Sequence, residues 1–322
     1  MNNVAGNAGN YPKAENETQL VLPRANVRNS KTRRNQENLT IQSIGRQYFT
    51  PAAGRAFNRL FNLIRNKNTM KLLFKNLCFL LAIVAGTLPA AAQQFKVLLF
   101  SKTDGFHHQS IHEGVDAVRQ LASRHNFVVD WQENASVFND KALEGFQAVI
   151  FLNTTGNILN DEQQAAFEKF IRSGKGYVGI HSAADTEYDW AWYTKLVGMM
   201  FKIHPQQQTA YLNVKDSNFP GMERFPKKLL WTDEWYEYSE RKADDLKILV
   251  TVDEKTYDPK VKWGTNEGKG MGDVHPISWY HNYDGGRAFY TGLGHIGLVF
   301  SDQTFLDHLY GGIYWAATGK GL

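Results

Sequence analysis

From Phe95 to the end of the chain, short apolar runs alternate with stretches whose apolar residues recur at helical spacing, and that rhythm leaves few folds open. Phe95-Lys96-Val97-Leu98-Leu99-Phe100 predicts a buried strand. Ser110 then opens a helix in which Ile111, Val115, Val118, Leu121 and Ala122 share one face. Residues 127–131 and 148–152 read as the second and third strands. Asp161 begins a helix with Ala165, Phe167, Phe170 and Ile171 as its apolar side, and residues 177–180 form a fourth strand that runs into His181-Ser182. Strand, helix, strand in this order means parallel pairing, because parallel neighbours need a long crossover between them. Such sheets place their sites beyond the carboxyl ends of the strands.

The later half is less regular. Residues 190–197 predict a short helix, 211–214 and 247–252 strands, and 303–317 a closing helix. Gly268, Gly270 and Gly272 mark 265–273 as a mobile loop placed to cover a site. Residues 277–280 and 287–291 flank Asp284-Gly285-Gly286, a hairpin signal. No internal repeat or interdomain linker interrupts this pattern, so 94–322 is expected to be one domain.

Charge separates that domain from what precedes it. Residues 1–69 carry 11 Lys and Arg against 3 Glu, whereas the chain from Gln94 onward carries 23 Lys and Arg against 29 Asp and Glu. An acidic body without a basic stripe argues against nucleic acid, whose phosphates require clustered cations. Between the two parts, Met70-Lys71 and Lys75 precede an apolar run from Leu77 to Leu88, then Pro89 and Ala90-Ala91-Ala92. This is the pattern of a secretory signal, and its apolar run is shorter than the roughly 20 residues of a membrane span. We therefore expect Met70 to be the true start, 1–69 to be a disordered or non-native upstream extension, and 70–92 to direct export to a periplasm or beyond. An Arg-rich transit peptide is the alternative for 1–69. Cleavage near Ala92 removes Cys78, the only cysteine, so the mature protein has no thiol nucleophile and no membrane span.

All ten histidines lie in the body, and several stand just past expected strands. His107-His108 follow the first strand, His181 the fourth, and His295 the strand at 287–291. Loops at one sheet edge converge, so imidazoles from these places and a carboxylate would make a divalent-metal site, such as one for zinc, or an acid–base pair. Glu234, between Asp233 and Trp235-Tyr236, is the expected carboxylate. The catalytic candidates are thus His108, His181 and Glu234, and the metal ligands His108, His181 and His295. His107, His204, Trp235 and Tyr236 are the candidates for holding substrate. Each histidine has a second reading as a hydrogen-bonded structural residue. The three metal candidates also lack a tight H-x-x-x-H spacing, so metal and metal-free chemistry both stay open. His112, His125 and His308 read as structural or solvent residues; His275 and His281 could face either way. Trp190, Trp192, Trp235, Trp263 and Trp279 offer flat faces to a sugar, although an aromatic core accounts for most of them. No nucleotide cofactor is expected.

Six segments together resemble the ThuA-like, or trehalose-utilisation, family: Gly105-Phe106-His107-His108-Gln109-Ser110-Ile111, Val178-Gly179-Ile180-His181-Ser182-Ala183, His204-Pro205, Asp233-Glu234-Trp235-Tyr236, Pro276-Ile277-Ser278-Trp279, and Gly286-Arg287-Ala288-Phe289-Tyr290 running to Gly294-His295. Trp315-Ala316-Ala317 at the end also fits. The resemblance implies an α/β flavodoxin-like, three-layer sandwich with a mainly parallel sheet, similar to class I glutamine amidotransferases. In those enzymes the turn after the fourth strand carries a catalytic Cys in a strained elbow. Here His181 takes that place, which excludes a thioester route. Ser182 would need a base and an oriented acid to act as a nucleophile. His107 stands where relatives often have Arg. The resemblance further implies a small carbohydrate ligand, of trehalose or 3-keto-glycoside type, with isomerisation, elimination or hydrolysis as the chemistry. A non-catalytic carbohydrate-binding module, or a partner in a glycan-processing assembly, is the alternative.

Overall fold

In the computed structural model, which describes residues 93–321 and the isolated positions Arg55, Arg59, Lys71 and Lys75, the chain enters its sheet through β1 (Lys96–Phe100). The expectations for the upstream extension, the export signal and Cys78 fall outside the continuously described residues. Side chains alternate across a strand, and β1 uses both faces: Val97 and Leu99 enter one apolar cluster, Leu98 and Phe100 another.

In chain order there follow α1 (Ile111–His125), β2 (Val128–Gln132), α2 (Asp140–Leu143), β3 (Ala148–Leu152), α3 (Asp161–Arg172), β4 (Gly176–Ile180) and α4 (Ala191–Val197). The second half holds β5 (Phe201–Ile203), β6 (Gln208–Val214), β7 (Lys228–Asp233), β8 (Glu237–Tyr238), β9 (Lys247–Val252), β10 (Val261–Trp263) and β11 (Asn266–Gly268). The chain closes with β12 (His275–Tyr283), β13 (Gly286–Thr291) and α5 (Gln303–Thr318). The main sheet has nine strands in the order β2-β1-β3-β4-β13-β12-β9-β6-β7. Its first five strands are parallel, and each pairing from β13 outward is antiparallel. The apolar sides of α1 and α5 cover one face, those of α3 and α4 the other. This is the α/β flavodoxin-like sandwich expected from the sequence, extended by an antiparallel flank. Among the described residues no helix is long and apolar enough to cross a membrane.

Local signals fix several boundaries. Asn160 accepts from the Gln163 backbone N–H while the Gln163 side chain accepts from the Asn160 N–H, a reciprocal cap that starts α3 where the sequence indicated. Asp284 and Gly285 both adopt left-handed backbone (φ 47° and 86°), which matches the twist of the β12–β13 hairpin. The segment at 265–273 differs from expectation. Its first part is the β10–β11 hairpin, and the backbone N–H groups of Lys269 and Gly270 donate to Glu237 and those of Met271 and Gly272 to Glu254. The buried carboxylate of Glu237 and the half-buried one of Glu254 therefore anchor what the glycines suggested was a mobile loop.

His308, on α5, is fully buried and meets Ser278 Oγ through Nε2 (3.0 Å). Burial pushes its imidazole down to about 3, far below the usual value. The unfolded chain therefore takes up a proton near pH 6.5 that the native chain refuses until about pH 3. The stability this neutral ring contributes is complete above pH 6.5 and is lost as pH falls through that window. The loss approaches about 1.4 kcal/mol per pH unit. Urea denaturation of wild type and His308→Gln at pH 7 and pH 5 is expected to show their stability gap narrowing by about 1–2 kcal/mol; parallel curves would contradict it.

Candidate metal centre

Five segments meet at the carboxyl edge of the parallel strands. The loop after β1 brings His108, the turn after β4 His181, the end of β5 His204, the end of β7 Glu234 and the loop after β13 His295. His108, His181, Glu234 and His295 each offer a ligand atom, and these atoms all lie within 4.8 Å of one another. The sequence-predicted set is thus assembled in one place.

Its ring orientations are set by neighbours. The His181 Nδ1–H donates to the Gly292 carbonyl (2.9 Å), which leaves the Nε2 lone pair facing the cluster. His181 itself sits at φ 48°, a strained conformation for a residue with a Cβ, in the turn directly after β4. His108 is 4% exposed and meets Ser182 Oγ through Nδ1 (3.2 Å), leaving its Nε2. Ser182 therefore serves the orientation of His108, and among the described residues its hydroxyl meets no carboxylate directly. His204 donates Nδ1–H to the Pro205 carbonyl (2.8 Å) and faces Glu234 Oε1 at 3.1 Å.

Three atoms form a small triangle: His181 Nε2 to His295 Nδ1 is 3.2 Å, His295 Nδ1 to Glu234 Oε2 is 3.2 Å, and His181 Nε2 to Glu234 Oε2 is 3.5 Å. Ligands bonded at about 2.0–2.1 Å on a tetrahedron stand about 3.3–3.4 Å apart, so the donors already have the spacing of a coordination shell. Their charge states agree. Burial, then the His181 and His295 rings, drive His108 down to about 2, keeping it a neutral donor. Burial opposes the Glu234 charge, but its contacts with the His181 and His295 rings outweigh it and hold the carboxyl well below its usual range. Burial lowers His295, yet the hydrogen bond to Glu234 and its charge win and raise it. Without a cation, a proton on His295 bridges the carboxylate and the His181 lone pair.

Sequence reasoning passed over the residues that hold this shell. Asp233, fully buried, accepts from the Gly294 N–H (3.0 Å) and the Ile296 N–H (3.4 Å), and so grips both sides of His295. Gly294 permits that path at φ 119°. Ser110 caps nothing with its side chain and instead donates to the Gly294 carbonyl (2.9 Å), which Asn153 Nδ2 also reaches. Asp233 stood beside Glu234 in the sequence, but only folding gives it this task.

One expected substrate contact is corrected. Trp235 is 1% exposed, packs in the core shared with α1 and α5, and donates its indole N–H to the Gln208 carbonyl (3.0 Å), so no face remains for a ligand. His107, next to His108 in the chain, is exposed and pairs with Thr103 Oγ1 (3.2 Å). Tyr236 is buried against the His181 ring (centroids 4.3 Å apart) and forms the floor of the cluster. Trp190, Trp192 and Trp279 pack in the opposite apolar layer. His275 and His281 turn out buried, each donating from Nε2 to a backbone carbonyl, that of Tyr236 and Leu196 respectively.

Comparisons with known proteins agree with this fold. The fold resembles a ThuA-like protein from Bacteroides uniformis ATCC 8492 at 25% identity and a TM-score of 0.59, covering 70% of this chain and 93% of that one. It also resembles a ThuA-like protein from Parabacteroides merdae ATCC 43184 at 20% identity and a TM-score of 0.52, covering 70% and 91%; that second likeness bears on the fold alone. No curated protein matches the chain. Residues 96–316 match the family model ThuA, described as trehalose utilisation, which spans every strand that builds the cluster. This chain belongs to the ThuA family.

Proposed function

We propose that His108, His181, His295 and Glu234 hold a divalent ion such as zinc, and that the site acts on a keto-glycoside or related disaccharide by isomerisation or elimination. The triangle of His181 Nε2, His295 Nδ1 and Glu234 Oε2 at coordination spacing supports this reading above all. An ion bound there would polarise a substrate carbonyl and so acidify the adjacent C–H. Glu234 serves two neighbours: Oε2 faces the ligand set while Oε1 steadies His204. With Nδ1–H engaged by Pro205 and Glu234, His204 keeps a lone pair on Nε2. Burial keeps that ring below the usual imidazole value and hence free to accept a proton at neutral pH. In elimination, His204 takes the proton beside the keto group and the C–H electron pair becomes the carbon–carbon double bond. The glycosidic C–O bond breaks with its pair on oxygen, and His204 returns the proton there. The signal-like pattern at 70–92 supports a reading in which this activity follows export; N-terminal sequencing of the native protein checks that directly.

Elemental analysis of the full chain is expected to find about one divalent ion per molecule, and 3-ketotrehalose to be consumed in a chelator-sensitive way. Absence of both ion and product would sink the proposal. Saccharide binding by calorimetry with no product, with or without chelator, would favour the non-catalytic module instead.

A further inference from the structure

Folded proteins bury their large aromatics, so the few that stay exposed are informative when they gather. Among the described residues the three most exposed aromatics, ahead of Tyr211 (37%), are Phe106 (64% exposed), Tyr188 (45%) and Trp263 (43%). All three border the histidine cluster, although they come from distant parts of the chain. The Phe106 ring lies 4.8 Å from that of His108, and the Trp263 ring 4.6 Å from that of His204, both edge to face. Tyr188 reaches the Phe201 carbonyl through its hydroxyl (2.9 Å), and Phe201 packs on His204.

The two outer platforms adjoin different flanks of the centre. His204 sits on Glu234 Oε1, whereas His108 packs against the rings of His181 and His295, which face Oε2. Trp263 stands on the β10–β11 hairpin, whose following backbone is tied down by Glu237 and Glu254. It is therefore presented on an anchored support. The polar contacts given for the four site imidazoles and Glu234 among the described residues include no Lys or Arg. Flat apolar faces on both flanks of the centre suit the C–H faces of an uncharged sugar, and a disaccharide can cover both where a single sugar ring covers one.

Resting on the reading above, we infer that Trp263 and Phe106 are two separate stacking subsites, each taking one pyranose ring of an uncharged disaccharide whose linkage lies over the histidine cluster, and that the β10–β11 hairpin sets specificity through Trp263.

The test is calorimetry on the full chain with trehalose, 3-ketotrehalose and glucose 6-phosphate, using wild type, Trp263→Ala, Trp263→Phe, Phe106→Ala and, as a control outside the site, Tyr211→Ala. Metal content and melting temperature are measured for each. We expect Trp263→Ala and Phe106→Ala each to weaken disaccharide binding about tenfold. Trp263→Phe should recover most of that loss, Tyr211→Ala should match wild type, and glucose 6-phosphate should bind worst. Metal content is expected to stay constant throughout. Wild-type binding with undiminished affinity in Trp263→Ala would overturn this inference and leave the metal-site reading standing. A wild type that holds metal but binds none of the sugars would overturn both this inference and the sugar chemistry.

Discussion

Replacing His181 with Gly is expected to abolish the divalent-ion binding proposed above and at the same time to give a more stable metal-free fold than His181→Ala does. The two halves have separate causes. His181 supplies Nε2 to the triangle while Gly292 fixes its tautomer, so deletion removes a donor that nothing nearby replaces. The loss of metal affinity should exceed the roughly 10–100-fold that attends loss of a supporting residue alone. The stability term comes from the backbone at φ 48°, where any Cβ crowds the chain by about 1 kcal/mol and glycine does not. Elemental analysis after dialysis reads the first half, and urea denaturation of the two metal-free variants the second. A His181→Ala protein that keeps a full complement of ion would remove His181 from the ligand set.

Asp233→Asn should do comparable harm without touching a ligand. The Asp233 carboxylate accepts N–H groups from Gly294, Ile296 and Glu234, and so spans the two loops that deliver His295 and Glu234. An amide of the same shape turns an NH2 towards at least one of those donors, leaving a buried N–H without an acceptor. That costs about 1–3 kcal/mol, and by loosening His295 it should weaken metal binding about 10–100-fold. Metal titration beside denaturation at pH 7 separates the two effects. Lost stability with undiminished metal affinity would leave Asp233 a role in folding only.

The parallel core was legible because its residues answer to local rules. A strand buried on both faces must be apolar throughout, as in β3, and the α3 cap and the β12–β13 turn carry their own side-chain and backbone signals. The flank was harder. β7 reads Lys-Leu-Leu-Trp-Thr-Asp, an edge strand with a mixed pattern, and β5, β8, β10 and β11 span only two or three residues each, too few for a period to appear.

The chain's sequence by itself determined that imidazoles would follow several strands, and a parallel sheet brings such loops to one edge; His108, His181 and His295 needed no more than that, whereas Glu234 arrives from the antiparallel flank at the end of β7. Tertiary structure alone decided which neighbours point with them. Trp235 and Trp263 are the same residue type in aromatic surroundings, yet one fills the core and the other stands beside His204. Strand register and hairpin placement make that difference, and both arise from pairings between segments far apart in the chain. A local pattern records what each segment can become, whereas the direction of a side chain depends on what the rest of the fold packs against it.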